Sequence, residues 1–487
     1  MGGILKIFGI IVLIPLLFFL GSCQDNAFDL SPDLQLKFSV DTVLFDTVFA
    51  TVGSSTHWLV VHNTHNRDIA LQHIRIAGAN SAVFRFNADG RTGPEVRNIE
   101  IAANDSIFLF VEVTIDPTQT NLPFIVSDSL EFSLNGNKQY VNLVAWGQNA
   151  RFLRPEFTDP VMNIQYHLIS ENTVWNDSLP FVVFGLAVVA RGKRLTIQEG
   201  TQIHLHNNSS LIFLEGSSLV VEGTAQRPVV FQGDRKERFF ENVPGQWGRI
   251  WLSAASKDHD INYAIIKNGT VGLHIDSIGS TQRPTLRIRN TIIKNKSLVG
   301  LLAQGSNVRA ENLVVSNCGK HLLMLALGGS YEFKHSTFAN YFNLPGSPAR
   351  TTPSVVFNNF FRDALGNTHY RPFQRLYFAN SIIFGNLTEE LQFDLRPASA
   401  IPLIFDHCLL RTQSNAQLQG SVNLILNQMP QFQNIANQDF RLRNNSPAIG
   451  RGNPTIGLLV PYDILGRERT LPPDIGAFQY YLIEEKP

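Results

Sequence analysis

The sequence predicts an all-β protein in which an immunoglobulin-like β-sandwich precedes a right-handed parallel β-helix. The first observation is a repeated short strand and polar corner, with copies beginning at Ile288, Ala310, Phe333 and Phe378. The spacing of roughly 22–23 residues, or about twice that, is typical of a solenoid. Each copy alternates apolar and polar residues and is rich in Val, Ile and Phe, which favours strands. The second observation is a series of short alternating runs between residues 36 and 149, a pattern typical of a β-sandwich.

The composition limits the classes of function. The chain has 487 residues, of which 16% are charged, compared with about 25% in a typical globular protein. Acidic and basic residues are equal at 40 each, and no basic stripe is present. The sequence therefore predicts no nucleic-acid partner. The low charge is typical of an all-β extracytoplasmic protein.

Residues 1–22 predict a secretory signal peptide. Lys6 supplies a positive charge, and the apolar stretch over residues 7–20 is too short for a spanning helix, which needs about 20 residues. The stretch ends in Leu20-Gly21-Ser22-Cys23, which resembles the lipobox of bacterial lipoproteins. That resemblance implies lipidation of Cys23 and a membrane partner held through acyl chains. Residues 23–35 are expected to form a polar tether, and an ordinary signal peptide with a chance cysteine is the alternative.

Residues 36–149 predict the immunoglobulin-like β-sandwich. Apolar runs such as Ile107-Phe-Leu-Phe-Val111 are separated by turn residues. Asn135-Gly136 lies between two alternating runs and is a strong hairpin signal. The sequence has no Cys–Trp–Cys core of the antibody type. We expect this domain to be a spacer or an interaction module beside the membrane.

Residues 150–168 predict a linker, and residues 169–438 predict the β-helix. Residues 169–190 carry apolar runs and are expected to cover the first coil, because an open sheet end would pair with other strands. Successive strands follow from Leu195, with glycines such as Gly200 at the corners. An insertion at residues 342–373 interrupts the period and contains one further strand. Inserted loops of solenoids often form binding faces.

Residues 439–487 form a distinct C-terminal segment. It contains Ser446-Pro-Ala-Ile449, Asp463-Ile-Leu-Gly466-Arg467 and Pro473-Asp-Ile-Gly-Ala-Phe478. These motifs resemble the closing segment of bacterial right-handed β-helix proteins of the pectate-lyase-like superfamily, with Gly450 where an aspartate is usual. The resemblance implies a C-terminal cap of the β-helix, in which Asp463, Arg467 and Asp474 pair to seal the last coil.

Motifs along the whole chain resemble one family of Bacteroidetes lipoproteins. They are the lipobox, the turn Asn104-Asp105-Ser106, the domain ending Trp146-Gly147-Gln148 and the coil entry Gly245-Gln246-Trp247. The resemblance implies an outer-membrane lipoprotein on the periplasmic or cell-surface side, with an N-terminal β-sandwich before the β-helix. It implies no activity, because none is assigned to that family.

Polar residues recur at one corner of the predicted coils: Asn290, Asn312, His335, Asn380 and His407. Stacked amides can hydrogen-bond from coil to coil, so we interpret this series as a structural ladder. A polar binding track is the alternative.

Two aspartates belong to the densest group of possible metal ligands. In Lys257-Asp258-His259-Asp260, Asp258 and Asp260 alternate onto one face of an extended chain. Two carboxylates can contribute to a Ca²⁺ site when more oxygens join them, and pectate lyases of the resembled superfamily hold Ca²⁺ with aspartates. A solvated turn is the alternative, and no other cofactor is predicted.

Two tryptophans are candidates for carbohydrate binding. Trp247 and Trp251, with Arg249 between them, would form an aromatic platform for sugar rings. Packing in the core would use the same residues and is the alternative.

Two other pairs have less specific patterns. His204 and His206 alternate onto one face, but the sequence indicates no third zinc ligand. Cys318 and Cys408 lie about four coils apart, on the order of 19 Å at the strand spacing, so we expect core thiols rather than a disulfide.

Two functions fit these patterns best, and a purely structural surface or adhesion component is a third possibility. The first is a non-enzymatic cell-envelope lipoprotein whose β-helix surface binds carbohydrate or an envelope protein. The alternative is a polysaccharide lyase or glycoside hydrolase acting in a groove on the β-helix, for which fold analogy is the only warrant. An enzyme should have clustered Asp or Glu beside Arg or Lys in a concave groove. A binding protein should have a smooth face of small, aromatic and amide residues.

Overall fold

The computed structural model describes residues 28–50, 52–80, 82–116, 124–277, 283–343, 349–396, 401–413 and 416–481. The predicted signal peptide and Cys23 lie outside the described residues. The chain forms two compact units, residues 1–149 and residues 150–487, and nearly all their regular structure is β. No described helix has the length and apolar composition needed to cross a lipid bilayer.

The first unit contains two five-stranded sheets, in the orders β1-β3-β8-β5-β6 and β2-β10-β9-β4-β7. Both sheets contribute apolar side chains to one core, including Phe45, Phe84 and Phe132. Alternation along strands such as β8 places every second residue in this core. Strands β1–β10 are Lys37–Phe38, Thr42–Phe49, His57–His62, Ile69–Ile76, Phe84–Ala88, Arg91–Gly93, Glu95–Ile101, Ser106–Val113, Phe124–Leu134 and Asn137–Gln148.

The second unit is a solenoid with three rows of parallel strands. Rows A and B together make an 18-stranded sheet, and row C belongs to a 10-stranded sheet. The long strands β26 (Leu286–Lys296) and β28 (Asn307–Cys318) contribute their first halves to row A and their second halves to row B. The other strands of row A are β14 (Thr173–Trp175), β17 (Arg194–Gln198), β20 (Ser218–Glu222), β23 (His259–Asn262), β30 (Gly329–Lys334), β35 (Phe373–Ala379) and β38 (Leu403–Asp406).

The remaining elements complete the coils and their decorations. The other strands of row B are β11 (Arg151–Leu153), β15 (Phe181–Val183), β18 (Gln202–Leu205), β21 (Val229–Gly233), β24 (Ala264–Lys267), β31 (Thr337–Asn340), β36 (Ile382–Gly385), β39 (Leu409–Leu410) and β40 (Ile425–Leu426). Row C consists of β13 (Gln165–Ile169), β16 (Leu186–Val189), β19 (Ser210–Phe213), β22 (Ile250–Leu252), β25 (Val271–Ile275), β27 (Val299–Gln304), β29 (His321–Ala326), β32 (Val355–Asn358) and β37 (Leu391–Asp394). Outside the rows lie β12 (Phe157–Thr158), β33 (Phe360–Arg362), β34 (Thr368–Tyr370), β41 (Phe432–Asn434), β42 (Asp439–Leu442), a 3₁₀ turn (Arg238–Asn242) and helix α1 (Pro454–Leu459).

The solenoid starts earlier in the chain than expected. Strand β11 lies in the predicted linker, yet it pairs in parallel with β15 of row B. Residues 169–190 were expected to cover the first coil, but they include β14, β15 and β16, which are themselves paired with the next coil. Backbone pairing in the solenoid is therefore continuous through this region.

In-register stacking builds the core of the solenoid. The inward residues Ile288, Ala310, Phe333 and Phe378 occupy the same position in successive row A strands. The rings of Phe333 and Phe378 stack with centroids 4.8 Å apart, so the repeat seen in the sequence becomes a column of apolar side chains. Parallel register places equivalent residues of adjacent coils next to one another. A few apolar residue types, repeated in each coil, are therefore enough to fill the core.

The corner between rows A and B requires a left-handed backbone. Asn290, Asn312, His335, Asn380 and His407 all have positive φ, between 47° and 53°. Asparagine tolerates this conformation better than most residues because its side chain can bond locally. The predicted ladder is present in part, since the Asn312 amide donates to Asn290 Oδ1 (2.8 Å) and the Asn380 amide donates to His335 Nε2 (3.0 Å).

The C-terminal segment binds this ladder from outside the coils. The Arg469 guanidinium donates to Asn312 Oδ1 (2.7 Å), and the backbone N–H of Asn453 donates to Asn380 Oδ1 (2.6 Å). The segment also covers the apolar outer face of row B. That shared apolar cluster includes Val314, Ile382 and Leu409 from the coils, Phe432 from β41, and Phe440, Ile464, Ile475, Ala477 and Phe478 from the segment.

The pairing of Asp463, Arg467 and Asp474 that was predicted to seal the last coil differs from the one observed. Asp463 accepts backbone N–H groups of Leu465 and Arg467, and Asp474 accepts those of Gly450 and Tyr480. These carboxylates shape turns of the C-terminal segment itself, and the segment lies along the side of several coils. In the segment Arg469 is buried whereas Arg467 is exposed, and burial lowers the pKa of Arg469 to about 10.

The insertion at residues 342–373 is fixed by a buried ion pair. Arg350 donates two hydrogen bonds to Glu390, at 2.9 and 2.6 Å, and both side chains are fully buried. Ser354 donates to the same carboxylate from its backbone and its hydroxyl, which satisfies further lone pairs. The predicted strand of the insertion becomes β32 of row C, and the hairpin β33–β34 forms a separate two-stranded sheet outside the rows.

Asn312→Ala should destabilise the protein by about 1–3 kcal/mol, because the buried Arg469 and the corner partners Asn290 and Tyr462 each lose a hydrogen bond to the buried Asn312 amide. Urea unfolding at neutral pH measures this change. The matched control is Asn423→Ala, at an exposed left-handed asparagine that donates to His407, so both variants carry a similar backbone penalty. Equal losses of stability in the two variants would contradict the role of Asn312 as an anchor for the C-terminal segment.

Three buried histidines predict a loss of stability in acid. Burial lowers the pKa of His204 and His259 to about 3 and holds the pKa of His335 well below its usual range. The unfolded chain takes up these protons near pH 6.5, so stability is complete above that pH and falls as the pH decreases towards 3. Each buried histidine contributes about 1.4 kcal/mol of loss per pH unit in that window.

His335→Asn tests this effect, because asparagine occupies the same slot in neighbouring coils. The variant should lose less stability than the parent between pH 7 and pH 5, by about 2 kcal/mol in urea unfolding. His369→Asn, in the hairpin β33–β34, is the control and should follow the parent. Parallel curves for the parent and His335→Asn would contradict a neutral, buried His335.

Candidate functional site

The outer side of row A carries a charged face. Register places Asp260, Arg287, Arg309 and Glu332 in one column, because each faces the next across adjacent strands. The neighbouring column contains Asn262, Arg289, Glu311 and Lys334. The charged face comprises the seven ionised residues of these two columns.

The charges on this face are mostly paired with one another. Arg289 lies 2.8 Å from Asp260, and Lys334 lies 2.7 Å from Glu332 and 3.9 Å from Glu311. None of these pairs includes Arg309, which is exposed. Half-exposed ion pairs contribute little to stability, so the significance of this face lies in the chemistry it presents to solvent.

A cleft of about 410 Å³ lies where the charged face meets the C-terminal segment, and we call it the tail cleft. Arg289 and Glu311 line it from row A, the amides of Asn290 and Asn312 from the corner, and Tyr263 and Tyr462 add aromatic rings. Burial raises the pKa of Tyr263, and nearby Asp463 acts in the same direction. The tail cleft therefore combines fixed hydrogen-bond donors, acceptors and aromatic surface, the combination that orients a polar ligand.

The two predicted metal ligands lie in different surroundings. Asp258 has a left-handed backbone (φ 54°) just before β23 begins, so the alternation assumed for an extended chain does not hold there. It lines a second cleft with Lys257 and Arg194, whereas Asp260 is held by Arg289. Among the described residues, no group of three or more His, Cys, Asp or Glu is arranged to hold a metal.

Trp247 and Trp251, which were predicted to form one sugar-binding surface, lie in different surroundings. Trp247 is completely buried, and its indole N–H donates to the Lys267 carbonyl (2.9 Å). The Lys296 ammonium lies 4.4 Å from the centroid of its ring, and burial holds the pKa of Lys296 well below its usual range. Trp247 therefore belongs to the core and offers no face to a sugar.

Trp251 and Arg249 belong instead to a cluster that sequence analysis missed. The ring of Trp251 stacks on His274 of the next coil, with centroids 5.5 Å apart, and its N–H donates to Asp276 (2.7 Å). Arg249 reaches His274 at 2.9 Å, and His274 lies 2.7 Å from Asp276. Burial raises the pKa of Asp276, but bonding and charge from His274 outweigh it, so that pKa lies below its ordinary value. The signal in the sequence was His274-Ile-Asp276, in phase with Trp251.

The remaining candidate residues have structural partners. His204 is buried with Nδ1 3.0 Å from the Gly233 carbonyl, while His206 lies 2.6 Å from Asp234, so they do not form a pair of metal ligands. Cys318 and Cys408 are buried free thiols, and burial raises the pKa of each to about 12.

Comparison with known proteins concerns mainly the second unit. Residues 167–273 match the family model of the pectate-lyase-like β-helix domain. No curated protein sequence matches the chain. Pectate lyase Pel9A is 11% identical, with 68% of this chain and 88% of that chain covered and a TM-score of 0.34. The family match thus supports a β-helix of the pectate-lyase-like superfamily for those residues.

Two further solved structures are similar over shorter stretches. A PapD-like domain of human CEP192 is 10% identical over 24% of this chain and 87% of that chain, with a TM-score of 0.17. A family 123 glycoside hydrolase from Clostridium perfringens is 8% identical over 24% of this chain, with a TM-score of 0.18. The chain spans only 27% of the length of that hydrolase.

Because Trp247 lies in the core and Trp251 lies nearer the surface, replacing each with alanine should lower the free energy of unfolding by different amounts. Trp247→Ala should destabilise the protein by about 3–5 kcal/mol, because it leaves a cavity in the core. Trp251→Ala should cost about 1 kcal/mol, the value of one hydrogen bond and one stacked pair. Urea unfolding of the two variants measures the difference, and equal costs would contradict the assignment of Trp247 to the core.

Proposed function

We propose that the protein is a cell-envelope lipoprotein that binds polysaccharide on its β-helix without cleaving it. In this proposal Cys23 carries the acyl chains and anchors the protein to the outer membrane, as in the Bacteroidetes family that the sequence motifs resemble. The first unit acts as an immunoglobulin-like spacer, and the right-handed β-helix presents the binding surface. The observation that carries the proposal is the tail cleft on the charged face.

The chemistry of the tail cleft favours an acidic polysaccharide. Arg289 lies in the cleft. Arg287 is two residues before it on the same strand, β26, and Arg309 faces Arg287 from the adjacent strand β28. Guanidinium groups bind carboxylates through two parallel hydrogen bonds, and Arg309 is not engaged in an ion pair of the charged face. The tyrosines and asparagines add contacts suited to sugar rings and hydroxyl groups.

The pairing of the carboxylates favours binding over cleavage. A glycoside hydrolase needs two carboxyl groups placed on either side of the scissile bond. Asp260 is engaged by Arg289 and Arg287, and it is therefore held as a partner of cations.

A polysaccharide lyase or hydrolase is the second candidate. The observation that favours it is the presence of Glu311 and Arg289 together in a concave cleft, the combination expected of an enzyme on this fold. A catalytic role would require Glu311 or a tyrosine to exchange protons with the bound sugar. The two candidates differ in whether new chain ends appear.

The test uses the full chain with polygalacturonate as the acidic probe and xylan as the neutral probe. We expect saturable binding of polygalacturonate that weakens with added salt, because charges drive it. Arg289→Ala and Arg309→Ala should each weaken binding at least tenfold, while Arg191→Ala, an exposed arginine at another corner, should leave it unchanged.

Unsaturated and reducing ends are measured in the same samples, with Ca²⁺ and with a chelator. Binding without new ends agrees with the proposal. New ends that disappear in Glu311→Gln would establish the second candidate. Absence of binding to polygalacturonate, or equal binding by all variants, would reject the tail cleft as a site for acidic polysaccharide.

A further inference from the structure

The first unit has an exposed aromatic surface whose side chains lie outside its hydrophobic core. Trp58, Phe108 and Phe110 are 59%, 50% and 44% exposed, respectively, and all lie on the outer side of the sheet β1-β3-β8-β5-β6. Trp58 and Phe108 have ring centroids 5.9 Å apart, and Phe108 and Phe110 lie 6.5 Å apart with nearly parallel planes. We call these three residues the aromatic platform.

The sequence of β8 explains how the platform arises. The inward residues Ile107, Leu109 and Val111 fill the core, so the two intervening phenylalanines point outward. An antiparallel strand with one solvated face usually has polar residues at such positions. Placing aromatic rings there exposes apolar surface to water, which in soluble proteins marks a site of interaction.

A cleft with a mixed lining adjoins the platform: Phe84, Phe86 and Pro94 contribute apolar surface, and Arg85, Asn87, Thr92 and Glu112 contribute polar groups. Register aligns Trp58 of β3 with Phe110 of β8, then with Asn87 of β5 and Thr92 of β6. This row crosses four strands and is about 14 Å long at the usual strand spacing. A cleft of about 810 Å³ lies at its polar end, where Phe110 meets Asn87 and Thr92.

Charged groups at the edge of the cleft complete the arrangement. Arg85 and Glu112 face each other across β5 and β8, and both line the cleft. Glu112 also accepts a hydrogen bond from the Thr56 hydroxyl (2.5 Å), which fixes the carboxylate beside the rings. The face therefore offers aromatic rings at one end and hydrogen-bond donors and acceptors at the other. The positive charge of Arg85 and the negative charge of Glu112 balance.

We infer that this face is a second carbohydrate site, which takes a neutral glycan chain. A pyranose ring has an apolar C–H face and a rim of hydroxyl groups, so it matches an aromatic surface that continues into a cleft with both apolar and polar walls. An apolar protein partner or a lipid surface would leave Arg85, Asn87 and Glu112 desolvated without partners, which is unfavourable. This inference rests on residues of the first unit and does not depend on the tail cleft.

The experiment probes the full chain with an array of immobilised neutral and acidic glycans. We expect binding to at least one neutral glycan, weakened at least tenfold by Trp58→Ala and by Phe110→Ala. Trp58→Phe should retain most of the affinity, because it keeps a ring in place. Leu44→Ala, an exposed apolar residue on the other sheet of the same unit, is the control and should bind as the parent does.

Two measurements keep the test decisive. Circular dichroism and urea unfolding should show that Trp58→Ala is folded, since its side chain lies outside the core. Arg289→Ala separates the two sites, because it should leave neutral glycan binding unchanged. Binding to no neutral glycan, or equal neutral binding by the parent and Trp58→Ala, would overturn the inference. Platform-dependent binding to lipid vesicles with no glycan binding would assign the face to a membrane and would also overturn it.

Discussion

The left-handed corner between rows A and B is the constraint on which the solenoid depends. Each coil must turn there without losing register, and Asn290, Asn312, His335, Asn380 and His407 adopt positive φ to do so. Their side chains then face outward in a column, where amides bond to the next coil or to the C-terminal segment. One local backbone requirement thus creates both the vertical ladder and the surface on which the segment binds. The tail cleft exists because that segment passes beside the charged face.

The protein also buries several groups that could be charged. His335 accepts a hydrogen bond from Asn380 at Nε2, which fixes the neutral form in the ladder. Lys296 lies fully buried over Trp247, and burial holds its pKa well below the usual range. Arg350 and Glu390 are instead buried as a hydrogen-bonded pair. Such groups cost desolvation energy, and the many backbone bonds of stacked coils offset that cost.

Much of the solenoid could be predicted from the sequence, because in-register stacking copies sequence phase directly into space. Ile288, Ala310 and Phe333 therefore occupy one column, as their period indicated. The path of the C-terminal segment could not be predicted, since it depends on contacts such as Arg469 with Asn312, 157 residues apart. Trp247 lies before β22, outside any alternating run of apolar and polar residues. The periodicity of the sequence therefore could not indicate that it is buried. The alternation in Ile107-Phe-Leu-Phe-Val111 was visible, but only the structure places Trp58 beside the two phenylalanines.

The C-terminal segment docks on the ladder, and native-state hydrogen exchange tests this docking most directly. The backbone N–H of Gly476 donates to the Asn380 carbonyl, and that of Ala477 donates to Thr337 Oγ1. Both amides should exchange as slowly as those of row B strands, because they open only when the segment leaves the coils. Exchange as fast as in the hairpin Phe360–Tyr370 would show that the segment does not dock, and the tail cleft would lose one of its walls.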